Sequence, residues 1–305
     1  MGCCGRFWKD FRKEWSLRNA KLEHPEPHLF LASEWQGEER RGVKLWYVLY
    51  RWAWALYHFS WWVASLVSEG GVDSSIARKA YHFIYLTNWS YISIVVMTTT
   101  QATIVTLGYL QGRRNPSPPK TMKTRLKVLW VMQNLVYLPA LLITAAYWSA
   151  IYDPQSPVTA LNAEVHIINS VYVLIDLMIV GGPVRVMHFY MPLVFMFLYA
   201  AFTLVYWAVG GTTPEGNAAI YPILDWDNLT VTLPFVICCT FFSPLMQGVV
   251  WLIFWGRRTS REQCCQRSGS ASLPHENTMD VIMARDASTD SVAANAISTA
   301  NNLQV

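Results

Sequence analysis

Six apolar segments constrain this chain more than any other feature. They run roughly Leu45–Val67, Ile84–Leu110, Leu126–Ile151, Val165–Gly182, Met187–Val209 and Val231–Trp255. A helix crosses a hydrocarbon core with about 20 apolar residues. Inside that core every backbone N–H and C=O must find a partner within the protein, so only helices and closed barrels can span it. The six runs are continuous and lack the alternation of a barrel strand, which predicts helices. The expected fold is an all-α, polytopic membrane bundle of six transmembrane helices. Composition agrees: 53% of residues are hydrophobic and 14% charged, against about 25% charged in soluble domains. Fifteen Trp and fifteen Tyr suit a chain with two membrane–water interfaces. The expected organisation is a cytosolic tail over 1–44, a membrane domain over 45–255 and a disordered cytosolic tail over 256–305.

Lys and Arg set the orientation of such a bundle, because they are retained on the cytosolic side. Of the 24, nine precede Leu45, and six (Arg113, Arg114, Lys120, Lys123, Arg125, Lys127) surround the joint between the second and third segments. Arg185 lies in the fourth joint, and Arg257, Arg258, Arg261, Arg267 and Arg285 follow the last segment. The alternate joints hold only Arg78 and Lys79, and carry Asp153, Glu164, Glu215, Asp225 and Asp227. Both termini are therefore expected in the cytosol. No early apolar stretch ends in a small-residue cleavage site, so the first segment is expected to act as an uncleaved anchor. The net charge of +4 reflects this asymmetry and does not point to nucleic acid.

The six Cys form adjacent pairs, Cys3–Cys4, Cys238–Cys239 and Cys264–Cys265. None falls in an outward joint, which argues against a disulfide framework. Adjacent pairs also lack zinc-ligand spacing; no metal or cofactor is expected. Cys3 and Cys4 beside basic residues, and Cys264 and Cys265 just beyond the last segment, are candidates for palmitoylation. Gly2 is a poor myristoylation site, because Arg6 replaces the Ser or Thr of that motif. Phe7, Trp8, Phe11 and Trp15 share a helical face with Lys9, Arg12 and Lys13 off it, the pattern of an interfacial helix on an anionic leaflet. After Trp255 the polar sequence has little to bury. Its end, Leu303-Gln-Val305, could add a strand to a PDZ-domain partner. Asn228-Leu-Thr230 is a glycosylation sequon in an outward joint; Asn88-Trp-Ser90 is another, but lies too close to the membrane.

One segment is unusually polar. On a helix, His166, Asn169, Val173 and Asp176 share one face. Ionisable groups at membrane depth are costly and mark candidate sites. His58 lies mid-segment in the first span, where an interhelical hydrogen bond is its simplest role. Arg51 lies nearer the cytosolic end, where it could snorkel. Asp176 is expected to be buried, paired with Arg185 or with another span. P-loop, G-x-G-x-x-G, G-x-S-x-G and H-E-x-x-H signatures are absent. Thr87 and His166 both lie within a few residues of the outer end of their segments, at ~1.5 Å per residue. A Thr hydroxyl becomes a useful nucleophile when a base such as His takes its proton. The plainer reading stays open, since membrane Thr also bonds its own backbone or a neighbouring helix.

The His24-Pro-Glu-Pro-His28 lead-in, Ser33-Glu-Trp35 and the order of the segments resemble the rolling stone family of multi-pass proteins, associated with myoblast fusion in insects. That resemblance implies a plasma-membrane protein of cell–cell fusion, with the endoplasmic reticulum as the alternative location, and membrane lipids as its surroundings. The core is also more distantly similar to the androgen-induced and androgen-dependent multi-pass hydrolases of fatty acid esters of hydroxy fatty acids. Leu86-Thr87 matches their nucleophile stretch, Leu161-Asn-Ala-Glu-Val-His166 their histidine stretch, and Tyr221-Pro-Ile-Leu224 a later Tyr-Pro-x-Leu. This second similarity implies a lipid-ester substrate, with Thr87 as nucleophile and His166 as base. The long basic N-terminal tail and the polar C-terminal tail depart from it. A transporter is a third reading, supported only by Asp176 and His58.

Overall fold

A computed structural model of the protein describes residues 3–36, 42–70, 80–115, 119–155 and 157–271. The side chains of Cys3, Cys4, Cys264 and Cys265, and the C-terminal Leu303–Val305, lie outside the described parts. All regular structure among the described residues is helical. A short helix α1 (Cys3–Glu14) precedes α2 (Leu45–Gly70), α3 (Leu86–Arg114), α4 (Thr124–Ile151), α5 (Ala160–Ile179), α6 (Val186–Ala208) and α7 (Leu229–Ala271). Five helices, α3 to α7, are long and apolar enough to cross a membrane. The sixth expected span, α2, has 26 residues, or about 39 Å at 1.5 Å per residue. It falls outside that set because Trp, Tyr, Arg51 and His58 dilute its apolar character. Many large side chains point outward, including Phe241, Leu245, Val205 and Leu198, as they would toward lipid.

The chain divides into two compact units, residues 1–256 and 257–305. In the second, Arg258 and Glu262 pair at 3.2 Å along one helical turn. In the first, the helices pack around a core that includes Tyr91, Ile94, Met97, Val136, Tyr172 and Val173.

The N-terminal residues are folded against one end of this bundle. Phe30 and Leu31 pack with Ile104, Leu126, Leu129 and Trp130. The last carbonyls of a helix have no partner within it. At the end of α5 the Ser33–Trp35 stretch supplies one: Trp35 Nε1 donates to the Met178 carbonyl at 2.7 Å. The Glu34 N–H and the Ser33 hydroxyl both donate to the Ile179 carbonyl at 2.8 Å. In return the Gly181 N–H reaches the Ala32 carbonyl at 2.9 Å. A Cβ at Gly181 would lie 2.7 Å from that oxygen and 2.9 Å from the Leu29 carbonyl, so the two segments meet this closely only because residue 181 has no side chain. Trp130 Nε1 holds the same turn through the Pro183 carbonyl at 2.9 Å.

Helix α1 is bound to protein along half of its aromatic face. Phe7 and Phe11 pack against Trp251 with tilted rings, and Trp255 donates to Asp10 at 3.2 Å. Trp8 and Trp15 are exposed. The predicted single lipid-facing stripe is thus divided, with two rings inward and two outward. Glu14 closes the helix on Arg185 at 2.9 Å and on the Val186 N–H at 3.3 Å. Burial pushes the Glu14 carboxyl above its ordinary value, opposed by the Arg185 charge.

Candidate functional site

Among the described residues, two buried polar clusters that join α5 to α2, and a chamber beside them, frame the candidate site. The first cluster joins four helices. Arg51 of α2 is 1% exposed and forms an ion pair with Asp176 of α5, which is fully buried. Arg51 also donates to Gln101 of α3 at 2.9 Å and to the Tyr47 hydroxyl. Asp176 accepts from Tyr50 at 3.0 Å and from Tyr137 of α4. Arg51 therefore does not snorkel to the end of its helix, and Arg185, expected as a partner for Asp176, is used by Glu14 instead. Desolvation of both ions is costly, and such a pair persists only when further hydrogen bonds fill the remaining sites; here Gln101 and three tyrosines do so.

The second cluster surrounds Glu164. Counted among the acids of an outward joint on sequence, Glu164 lies inside α5 and is 2% exposed. Its carboxylate accepts from Tyr57 of α2 at 2.6 Å and from Tyr91 of α3 at 2.9 Å. His58 Nδ1 lies 3.2 Å from the Tyr91 hydroxyl and 3.6 Å from the carboxylate. Trp54 and Tyr172 pack on the His58 ring.

The chamber, about 720 Å³, lies at the other end of the bundle from the Ser33–Trp35 stretch and is lined mainly by apolar side chains of α3 to α7. That volume falls within the ~300–1,000 Å³ typical of small-ligand sites. Its polar groups include Thr87, Asn162, His166 and Tyr221. Thr87 is the second residue of α3, so the helix start brings its hydroxyl to the chamber wall. The Tyr221 phenol, from the loop before α7, is in hydrogen-bonding contact with Thr87; burial keeps this phenol above its ordinary value and so protonated.

His166 reaches the chamber through a local irregularity. Helix α5 widens into a π-turn over Glu164–Ile168, and such turns are frequent at functional sites. The Asn169 N–H bonds back to the Glu164 carbonyl, five residues earlier. The Val165 carbonyl is then taken by the Asn169 side chain at 2.7 Å. The other Asn169 side-chain atom accepts from Thr144 of α4 at 3.1 Å. A second π-turn, Tyr147–Ile151, ends α4, and its Tyr147 ring lies flat on His166 with centroids 3.5 Å apart and planes 6° apart. Asn162 Nδ2 donates to the Tyr147 hydroxyl, and Trp148 Nε1 to the His166 carbonyl at 3.2 Å. Two atoms remain: His166 Nδ1 and Asn162 Oδ1 are buried and have no hydrogen-bond partner. Buried polar groups are nearly always paired, so this wall of the chamber is prepared for a polar group or a water.

Of the residues singled out on sequence, Thr87 and His166 share the chamber. Asn169 supports the π-turn beneath it, and His58 and Asp176 belong to the two buried clusters. Asn228 is exposed and accepts from Thr230 at 2.6 Å, whereas Asn88 is buried and donates to the His82 carbonyl at 2.6 Å. Tyr147 and Asn162 were not anticipated as site residues: a π-turn leaves no periodic trace in so short a stretch.

The family model described as "Protein rolling stone" matches residues 1–270. Protein rolling stone of Drosophila melanogaster is 31% identical over 231 residues, covering 73% of this chain and 80% of that protein. No solved structure matches the chain.

Proposed function

Because this chain belongs to the rolling stone family, we propose that it is a six-span plasma-membrane protein acting in cell–cell fusion, and that its chamber hydrolyses lipid esters with Thr87 as nucleophile and His166 as base. The Lys and Arg asymmetry supports both termini in the cytosol, and α2 would be the first span. The fusion role rests on the family resemblance. The chemistry rests on one observation: a single apolar chamber is lined by both a Thr hydroxyl and a histidine whose buried Nδ1 lacks a partner.

In the reaction, Thr87 Oγ attacks the ester carbonyl carbon while the imidazole takes its proton. The ester C–O bond breaks, and the imidazolium returns the proton to the departing alkoxide. Water then attacks the acyl–Thr87 ester by the same route and releases the fatty acid. The protonated Tyr221 phenol, beside Thr87, is placed to donate to charge that develops on oxygen. The apolar lining suits an acyl chain entering from the bilayer.

A fluorophosphonate probe should label purified protein at Thr87, and labelling should be lost in Thr87→Ala and in His166→Ala. Unchanged labelling in either variant refutes the pair. Depletion should reduce the number of multinucleate cells. Full rescue by Thr87→Ala would separate the fusion role from the chemistry.

A further inference from the structure

Glu164 lies two residues before His166, within the same π-turn, so the two side chains leave the helix on roughly opposite sides. His166 turns to the chamber, and Glu164 to α2 and α3, where Tyr57 and Tyr91 hold it at 2.6 and 2.9 Å. A buried carboxylate in a membrane bundle is costly, and nothing in the chamber uses this one. The imidazole has no hydrogen bond at Nδ1 to fix it. The ring is buried and stacks on Tyr147, and the Trp148 bond reaches the His166 carbonyl, not the ring. The direction of the ring therefore follows from where the backbone of the π-turn is held. That backbone is held by the Glu164 side chain on α2 and α3, by Asn169 on α4, and by Trp148 Nε1 at the His166 carbonyl.

We propose that Glu164, fixed by Tyr57 and Tyr91, is the positioning residue that sets the π-turn and holds the His166 ring against Tyr147 at the chamber wall. Where the chamber is used for ester cleavage this deepens the reading above, since it names a residue that acts on the base without touching substrate. The placement of the ring itself does not depend on that chemistry.

Two measurements test it separately. At 3.5 Å, the stacked Tyr147 ring should move the His166 ring-proton signals strongly upfield in spectra of selectively histidine-labelled protein, with His166→Gln identifying the signals. In Glu164→Gln these signals should move toward those of a free histidine. The same change is expected in the gentler double variant Tyr57→Phe/Tyr91→Phe, which removes only two hydroxyls and keeps the aromatic packing. The fluorophosphonate labelling rate should fall about 10- to 100-fold in both, as expected for a displaced catalytic group, with the melting temperature of the double variant near that of wild type. If the upfield signals persist in both variants, Glu164 does not position His166, and the proposal is overturned. If the signals move as expected while wild type is never labelled at Thr87, the positioning stands and the hydrolase reading fails.

Discussion

Removal of Asp176 should be among the most damaging single substitutions in this bundle, and removal of Arg51 less so. Asp176→Ala strands a guanidinium that is 1% exposed and leaves the Tyr50 and Tyr137 hydroxyls without their acceptor. Arg cannot shed its proton in a protein, so the charge stays buried and uncompensated; breaking such a pair costs about 3–5 kcal/mol. In Arg51→Met the carboxylate keeps both tyrosine donors, which removes part of the penalty. A loss nearer ~2 kcal/mol is expected there, from the lower part of the range for burying a polar group with incomplete compensation. The double variant Arg51→Met/Asp176→Leu removes both charges together. It should be less destabilised than Asp176→Ala, because replacing a buried pair by apolar groups of similar size is often close to neutral. Unfolding free energies by steric trapping in bicelles, arranged as a double-mutant cycle, would measure the coupling. Additive losses, with a double variant worse than Asp176→Ala, would refute the reasoning that the pair acts as one unit.

Gly181→Ala should cost ~1–3 kcal/mol, the range for overpacking, because its Cβ would meet two backbone oxygens at 2.7 and 2.9 Å; faster proteolysis of residues 27–36 would report it. Ser33→Ala removes one of the donors to the Ile179 carbonyl and should lower stability by ~1 kcal/mol, read as a drop in melting temperature. Docking of α1 should depend on pH through Glu14. Its folded value lies above the ordinary 4.5, so the protonated form is favoured in the docked state. Its contribution is full below 4.5 and is lost as pH rises through the folded value. Hydrogen-exchange protection along α1, taken relative to the intrinsic exchange rate at each pH, should fall across that window, and Glu14→Gln should flatten the dependence. Protection that does not change with pH in wild type would count against this account.

Much of the fold was legible because lipid imposes a single rule on backbone polar groups, and long apolar runs announce compliance with it. Helices α3 to α7 follow the expected segments closely. Helix α2 shows why composition alone blurs the picture: its Trp and Tyr residues lower its apparent apolarity, although Tyr47 is buried and Trp46, Trp52 and Tyr57 are exposed. The site was legible only where short motifs carried it. Thr87 and His166 could be paired from their depth and from resemblance. Glu164 was misplaced in a joint, because an acid at a segment boundary reads as solvent-facing until the tyrosines of other helices are known to receive it. Arg51 was read as snorkelling for the same reason, since its partner lies 125 positions away.

Local pattern therefore determined the helices, the charge asymmetry along the chain and the polar stripe of α5, while α5 begins before and α7 runs beyond the expected ends. Only the tertiary structure decided which polar groups meet. Arg51 with Asp176, Glu164 with Tyr57 and Tyr91, and His166 with Tyr147 are contacts between helices far apart in the chain. Ionic and hydrogen-bonding partners at such distances are chosen by packing, and periodicity carries no record of them. The π-turn that turns His166 into the chamber is of the same kind, because one extra residue in a turn rotates the side chains around it by about 100° without changing the composition around them.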